Sequence, residues 1–527
     1  MDYYGFIGRI LKVDLTDQSI SAEKINLEHV KKFMGGAGYA CRYLFDHLTK
    51  ELDPLSSLNH LMIMTGPLSL TGVPSSDRFV ICAKSPYTNL WGESNCGGFF
   101  GPEIKKAGYD GVDIIGTSSY PVYISIHNED VNIEKASDLW GKGTKETHNK
   151  LKAKMKDDKA KVMCIGPGGE NLIKYANVNA EGRSAGRTGM GAVMGSKKLK
   201  GIVVRGTKKK PKVANPEEFR GAIKKTLKFL LDRQTTRVLR EYGTSAGVMG
   251  AYGVGDLPIK YWSKGEWDKV FDISGQKLKD EYLIKNKSCY GCPISCGRVV
   301  KIDNESYNFP SCEGAEYETI AGFGSMILNN NLDSINIANN LCNDYGIDTI
   351  SSSSAIALLY NLYNEGKINR EDVDGLDLSW GNWKSLLKLL EKIAFREGIG
   401  DILAEGSNAV AQKFDISSEK VATVNKLEVP YHDIRSCYGM ALTYAFSPRG
   451  ACHTSADVYK ILRKSNEIDF STLGIPKIDV FSNSKKMAKY TALSQDYRAL
   501  YSSLISCVFS NPPPELMAKM METLFGY

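Results

Sequence analysis

The hydrophobic period of this chain changes once, and that change restricts the fold more than any other feature. Up to about residue 211 the apolar residues come in short β-branched runs, "HLMIMTGPLS", "RFVICAKSP", "PVYISIHNEDVNIE" and "GIVVRGT", bounded by Gly, Pro and Ser. From Pro216 onward the spacing is helical. "LDSINIANNLCNDYG" places Leu332, Ile335, Ala338, Leu341 and Cys342 on one face and stops at Gly346. "DTISSSSAIALLYNLYNEG" restarts at once, with Asp348 as its cap. "WKSLLKLLEKIAFREG", "DILAEGSNAVAQKF", "KYTALSQDYRALYSSLISC" and "PPELMAKMMETLF" continue the helical pattern to the end. Strands gathered before helices predict an α+β fold. The expected limits are a β-rich domain over 1–211 and mostly helical domains over 212–422 and 423–527, with the basic run from Lys208 to Lys212 as the first boundary.

A chain of 527 residues has the length for three or four domains and a sizeable core. Its net charge of +7 arises from 67 basic and 60 acidic residues, and "GTKKKPK" is the only strong single-sign run. That run reads as a solvated linker. Nucleic-acid binding would want a basic face interleaved with aromatics, and none is visible. No apolar stretch reaches the roughly 18 residues of a membrane span, and the start lacks the plan of a signal peptide. The expectation is a cytoplasmic protein. In that reducing setting the twelve cysteines are not expected to form disulfides. Cys41, Cys82 and Cys164, isolated among apolar residues, read as buried small hydrophobes.

Three other cysteines are not isolated. "KSCYGCPISCGR" spaces Cys289, Cys292 and Cys296 as C-x2-C-x3-C, a tight arc for a metal. A zinc ribbon would offer a second C-x2-C pair within about 20 residues, whereas the next cysteine is Cys312, alone. Radical-type cluster motifs have the two spacings in the opposite order. Pro and Gly within the arc suit a [4Fe–4S] cluster completed by a distant cysteine, and the spacing favours that over zinc. Cys312, Cys342, Cys437, Cys452 and Cys507 are all candidates for the fourth ligand, and spacing does not choose among them.

Gly is enriched, with many of the 50 glycines between residues 90 and 210. Two loops there, "NCGGFFGPEIKKAGYDG" and "EGRSAGRTGMGAVMGSKKLKG", open into helical patterns, where backbone amides bind phosphate well. Neither completes a dinucleotide or phosphate-loop motif. An ordinary turn cluster and a cradle for a large anion that is not a standard nucleotide both remain open.

Taken in order, "YGFIGRILKVDLT", "KKFMGGAGYACRYLF", "TGPLSLTGVPSSDRF", "KSPYTNLWGESNCGGFFGPEIKKAGYDGVDIIG", "IGPGGENLIKYANVNAEGRSAGRTGMGAVMGSKKLKGIVV", "CYGCPISCGR", "GAEYETIAGFGS", "NDYGIDTIS" and "SPRGACH" closely resemble the aldehyde ferredoxin oxidoreductase family of tungsten enzymes. The resemblance implies a tungsten ion held by the dithiolene sulfurs of two pyranopterins, with molybdenum as the alternative metal, beside a [4Fe–4S] cluster. It implies Cys507 as the fourth cluster ligand and Arg78 as a fixed cation between cluster and pterin. Asn95 and Ser184 match positions whose carbonyls hold the Mg²⁺ joining the pterin phosphates. Arg183 and its neighbours Ala185 and Gly186 match the phosphate cradle, with Gly97, Asn343, Asp348, Ser502 and Ser506 as further cofactor positions. Glu318 and His453 match the titratable pair beside the metal, and Tyr317 is a candidate helper. The implied reaction oxidises an aldehyde to a carboxylic acid and passes electrons to ferredoxin or a dedicated iron–sulfur subunit.

Four departures qualify the transfer. The chain ends at "METLFGY", where better-known members continue, so a more open site or one completed by another subunit is expected. Ser502 and Asn343 stand for aspartates, which removes two charges near the pterin. Ile337 and Asn340 stand where hyperthermophilic members have Glu and His around an intersubunit metal, so that bridge is expected to be absent and homodimer or hetero-oligomer is open. Two alternatives follow: the catalytic subunit of a larger low-potential tungsten reductase complex, or a non-catalytic cluster-binding homologue.

Overall fold

The computed structural model describes residues 3–207, 210–303, 308–464 and 466–526. Of the expected linker run, Lys208 and Lys209 lie outside the described residues. The β-branched runs form two six-stranded mixed sheets. The strands are β1 (Arg9–Asp14), β2 (Ser19–Lys24), β3 (Leu61–Met64), β4 (Phe79–Lys84), β5 (Trp91–Cys96), β6 (Gly111–Ile115), β7 (Val122–His127), β8 (Asp130–Lys135), β9 (Lys161–Cys164), β10 (Val178–Ala180), β11 (Arg183–Ala185) and β12 (Leu199–Arg205). The first sheet runs β2-β1-β6-β3-β4-β5 and the second β11-β10-β9-β12-β7-β8.

Side chains alternate faces along a strand, and the sequence fills both faces with apolar residues. Leu61 and Ile63, with Ile81 and Val112, meet Ile124, Ile202 and Val204 of the second sheet in one core. Met62, Met64, Val80 and Cys82 face the other way, against Tyr39, Ala40 and Tyr43 of the Gly36–His47 helix. On the far face of the second sheet, Val162, Cys164 and Val203 pack on Leu151. Cys82 and Cys164 are thus buried as expected, whereas Cys41 lies on an exposed face of the Gly36–His47 helix. The helical period puts Cys41 one position beyond the core-facing Tyr39 and Ala40.

The strand order leaves β5 and β11 as sheet edges, and these edges come into contact. Asn95 is on one and Ser184 on the other. A three-stranded antiparallel sheet of β13 (Leu283–Lys287), β14 (Gly297–Asp303) and β15 (Asn308–Glu313) follows, and then the helices. The predicted helices form over Leu332–Tyr345, Thr349–Asn364, Trp383–Phe395, Lys485–Leu504 and Pro514–Phe525. Gly346 ends the first in the left-handed conformation at φ 73°. Asp348 caps the second by accepting from the backbone N–H groups of Ile350 and Ser351. "DILAEGSNAVAQKF" instead breaks into two short helices at Gly406, where φ is +92°. The Pro216–Asp232 helix, which opens the expected middle region, buries Phe219 and Ala222 in the same core as the C-terminal helices.

The second glycine-rich loop divides between two roles. Gly182 and Gly186 face a cavity, while Gly191 and Gly195 lie in the Met190–Ser196 helix, packed on backbone. A Cβ at Gly195 would strike the Gly169 carbonyl of the neighbouring Pro167–Glu170 helix. Gly195→Ala is expected to lower stability by about 1–3 kcal/mol through overpacking, measured as a fall in the denaturant midpoint with unchanged slope.

Candidate functional site

The three-cysteine arc occupies the irregular connection between β13 and β14, whose ends pair Lys287 with Gly297. Two left-handed residues, Gly291 (φ 59°) and Ser295 (φ 55°), turn the chain through it, and the Cys292 N–H donates to the Cys289 carbonyl. Cys507 arrives from far along the chain. The Lys485–Leu504 helix ends on left-handed Ile505, and the Cys507 N–H then donates to the Ser75 carbonyl at 2.9 Å. Ser75 joins the two segments, because its hydroxyl lies 3.1 Å from Cys292 Sγ and its N–H donates to Gly291 O. Arg78 is half-buried beside them, with a guanidinium nitrogen 4.0 Å from Cys507 Sγ and Nε donating to Asn95 Oδ1. Burial opposes its charge, but Cys507, Cys289, Cys96 and Cys296 outweigh that and raise its pKa above the ordinary arginine value. A side chain at Gly97 would meet Cys289 Sγ at 2.7 Å and Arg78 at 2.9 Å, so only glycine lets these groups approach.

The other candidate cysteines separate from this set. Cys312 Sγ faces the Val300 carbonyl, and Cys342 and Cys437 are buried in apolar cores. Cys452 reaches the same cavity at another wall, where Arg449 and Thr454 hydrogen-bond its sulfur. Burial pushes that thiol up, yet Arg449, Thr454 and Arg187 together bring it below its ordinary pKa. A mononuclear zinc site would hold its sulfurs about 3.8 Å apart, from Zn–S bonds of about 2.3 Å. Among the described residues, the only group of three ligand atoms within 4.8 Å of one another is Glu318, His432 and His453. Among the described residues, no three of the cysteine sulfurs crowd that closely.

These cysteines line one end of a cavity of about 710 Å³. Its walls include Arg78, Asn95, Gly97, Arg183, Ser184, Gly186, Asn343, Asp348, Ser502 and Ser506. Ser184 donates from its hydroxyl to Asn343 Oδ1 at 3.2 Å, and Ser506 Oγ lies 3.0 Å from Ser76 Oγ. Arg183 pairs with Glu316 at 3.1 Å. Asp348 caps its helix and also approaches Arg187 at 3.6 Å, so the two readings of this residue are compatible. Ala185 behaves differently. Its side chain turns into the core between the sheets, and its backbone pairs with Val178. Ile337 is buried, and the Asn340 amide donates to Glu313 O and Asn336 O.

Glu318 stands in the first turn of the Tyr317–Phe323 helix and points into the cavity. Its Oε2 accepts from the Tyr431 N–H at 2.9 Å, while Oε1 lies 3.7 Å from His453 Nδ1 and 3.6 Å from His432 Nε2. Burial raises the pKa of Glu318, against the opposing pull of His432, the Tyr431 N–H and Arg187. Burial, then the neighbouring His432, Lys460 and arginines, pushes His453 well below the ordinary histidine value, so its ring is neutral. Tyr317 does not reach the cavity wall. Its hydroxyl donates to the Tyr431 carbonyl at 2.6 Å and its ring stacks on His432 at 4.8 Å, which makes it a support for the pair rather than a helper in it. Arg187 and Arg449 on the cavity wall, and His432 and Asp256 behind Glu318, are the residues that sequence reasoning missed, and Cys452 was weighed only as a cluster ligand. Arg449 and Cys452 sit inside the "SPRGACH" motif beside His453 and were open to notice; His432 and Asp256 have no local signature.

Residues 10–206 match the family described as "Aldehyde ferredoxin oxidoreductase, N-terminal domain", and residues 222–527 match its "domains 2 & 3". The tungsten-containing aldehyde ferredoxin oxidoreductase of Pyrococcus abyssi is 38% identical over 513 residues, covering 96% of this chain and 82% of the relative. The WOR-like subunit of an aliphatic sulfonate oxidoreductase from Pyrococcus furiosus is 33% identical over 480 residues, covering 86% of this chain and 75% of that one. Among solved structures, the active-site complex BamBC of benzoyl coenzyme A reductase, bound to 1,5-dienoyl-CoA, superposes with a TM-score of 0.84 at 25% identity, covering 99% of this chain and 86% of the other. With family matches to both parts of the chain and relatives this similar across nearly its whole length, the chain belongs to the aldehyde ferredoxin oxidoreductase family.

Proposed function

We propose that this protein oxidises aldehydes to carboxylic acids at a tungsten bis-pyranopterin centre in the 710 Å³ cavity and passes the electrons through a [4Fe–4S] cluster to ferredoxin or a dedicated iron–sulfur subunit. The observation that carries the proposal is one cavity lined both by Cys289, Cys292, Cys296 and Cys507 and by Glu318 and His453. Buried polar atoms are nearly always paired, yet Glu318 Oε1, His453 Nδ1, Arg187 Nε and Asn177 Oδ1 are buried without a hydrogen-bond partner. A large polar ligand fits such a lining.

The four cysteines would hold the cluster, and Arg78 would stand between it and a pterin. Arg183, Ser184, Ala185 through its backbone, Gly186, Gly97, Asn343, Asp348, Ser502 and Ser506 would bind the pterins, with the Asn95 and Ser184 carbonyls on Mg²⁺. When bound, the tungsten–pterin group supplies the two-electron redox step and the cluster an outlet for single electrons. The chain's own residues orient substrate and move protons. His453, neutral, donates an N–H to the carbonyl oxygen and polarises it. Glu318 Oε1 takes a proton from the water or hydrated aldehyde that supplies the new oxygen.

Metal analysis of anaerobically purified protein, followed by an aldehyde screen with a viologen acceptor, tests this reading. Tungsten with about four irons per chain and aldehyde-dependent dye reduction are expected; iron without tungsten or molybdenum would sink it. In active protein, the carboxylate of Glu318 is the working form, so activity falls as pH drops through its pKa. Because burial raises that pKa, the acid limb of kcat/KM is expected above the ordinary Glu value of about 4.3.

A second reading, the catalytic subunit of a larger low-potential reductase, is favoured by the likeness to a benzoyl-CoA reductase complex over 99% of this chain. Tungsten present, no aldehyde turnover, and co-purifying iron–sulfur partners would select it.

A further inference from the structure

Aldehyde oxidation with water releases two protons and two electrons. The electrons have the cluster, but Glu318 must be emptied of its proton after each turnover, and its side chain is only 16% exposed. Its contacts differ in what they can accept. The Tyr431 N–H on Oε2 is a donor only. His453 strongly resists a second proton. His432 presents Nε2 at 3.6 Å from Glu318 Oε1, with its other nitrogen, Nδ1, 2.6 Å from Asp256 Oδ2. A carboxylate on Nδ1–H sets the tautomer that leaves Nε2 free to accept, and it stabilises the imidazolium that results.

The ring is fixed for that task. It stacks between Tyr317 at 4.8 Å and Tyr459 at 4.0 Å, and its backbone carbonyl accepts from the Tyr444 hydroxyl at 2.9 Å. Asp256 is fixed as well, by the Ser436 hydroxyl on Oδ1 at 2.7 Å and by the Asp433 N–H on its carbonyl. Lys460 also bears on His453, Glu318 and Asp256, Arg187 on Glu318 and His453, and Arg449 on His453. Asp256 itself, though buried, directly follows the exposed turn 253–255. The 3.6 Å gap is roughly half an ångström beyond a formed hydrogen bond, a separation that catalytic pairs close when substrate is bound.

We propose that Glu318, His432 and Asp256 form a proton relay in which His432 empties Glu318 and Asp256 holds the charge. The proton that Glu318 Oε1 has taken passes to His432 Nε2, the Asp256 carboxylate on Nδ1–H holds the imidazolium that results, and Nε2 gives the proton up to water once product has left, so the ring, 9% exposed, regains the tautomer that can accept again. One proton enters and one leaves His432 in each turnover, and no electrons move. His432 and Asp256 are positioning and relay residues, with no contact to substrate. The inference rests on the aldehyde-oxidising reading for its purpose, but its proton geometry can be tested separately.

His432→Asn and Asp256→Asn are compared with the parent protein by metal content, pH–rate profile and infrared titration of the Glu318 carboxyl band, identified by its loss in Glu318→Gln. In both variants tungsten and iron are expected to be retained, with kcat lowered roughly tenfold to a hundredfold and KM unchanged. Imidazolium charge at His432 favours the Glu318 carboxylate, so His432→Asn is expected to move the acid limb and the infrared midpoint to higher pH. In the Glu318→Gln background, His432→Asn should add no further loss. An unmoved infrared midpoint, or parental kcat and acid limb in loaded variants, overturns the relay. If His432→Asn fails to load its metals, His432→Gln and Asp256→Asn decide by the same readouts. If the parent turns over no aldehyde, the aldehyde reading fails, and the infrared midpoint alone decides whether His432 is coupled to Glu318.

Discussion

Glu318→Gln is expected to lower aldehyde-dependent dye reduction by about 10²–10⁴-fold while tungsten and iron contents stay at parental levels. The substitution keeps the size of the side chain and its acceptor for the Tyr431 N–H but removes the group that takes a proton. Oε1 has no hydrogen-bond partner, so little structure depends on it, and the loss should appear in kcat rather than in the thermal transition. A fall in metal content parallel to activity would instead assign Glu318 to holding the cofactor. Parental activity would remove it from the chemistry altogether.

Cys507→Ser is expected to strip or destabilise the cluster, with iron falling well below about four per chain and turnover falling with it. The physical reason is electronic as much as structural. A serine oxygen is a harder and poorer ligand for iron than a thiolate, and Arg78 beside it is placed for an anionic sulfur. Cys312→Ser and Cys437→Ser serve as comparisons: both cysteines lie away from the arc, one in a strand and one in an apolar core. Iron loss in Cys312→Ser with retention in Cys507→Ser would reverse the assignment of the fourth ligand.

Much of the fold was readable along the chain, because strand and helix periods are local. The runs that became β3, β4, β7 and β12, and the Leu332–Tyr345 helix ending at Gly346, formed where the residues predicted. Where a reading failed, the missing information was which way a side chain turns. Cys41 lies among apolar neighbours in sequence but on the solvent face of its helix. Tyr317 adjoins Glu318, yet a helix sends consecutive side chains about 100° apart, and its hydroxyl goes to Tyr431 O instead.

The site divides in the same way. The three-cysteine arc was visible because all its ligands share one short loop, and the resemblance to a family supplied Cys507, Glu318 and His453. Spacing alone could not rank Cys507 above four other cysteines, since the contact of Ser75 with both Cys292 and Cys507 depends on how distant segments pack. His432 and Asp256 show the limit most plainly. One follows a loop and the other a turn, 176 positions apart, with no motif around either, and they meet at 2.6 Å only because Tyr317 and Tyr459 hold the ring between them. Residue type and spacing therefore settled which elements form and that three cysteines share one arc. Packing of the sheet edges, the arc and the late helices decided which groups face one another, because that depends on burying apolar surface across the whole chain rather than on any local stretch.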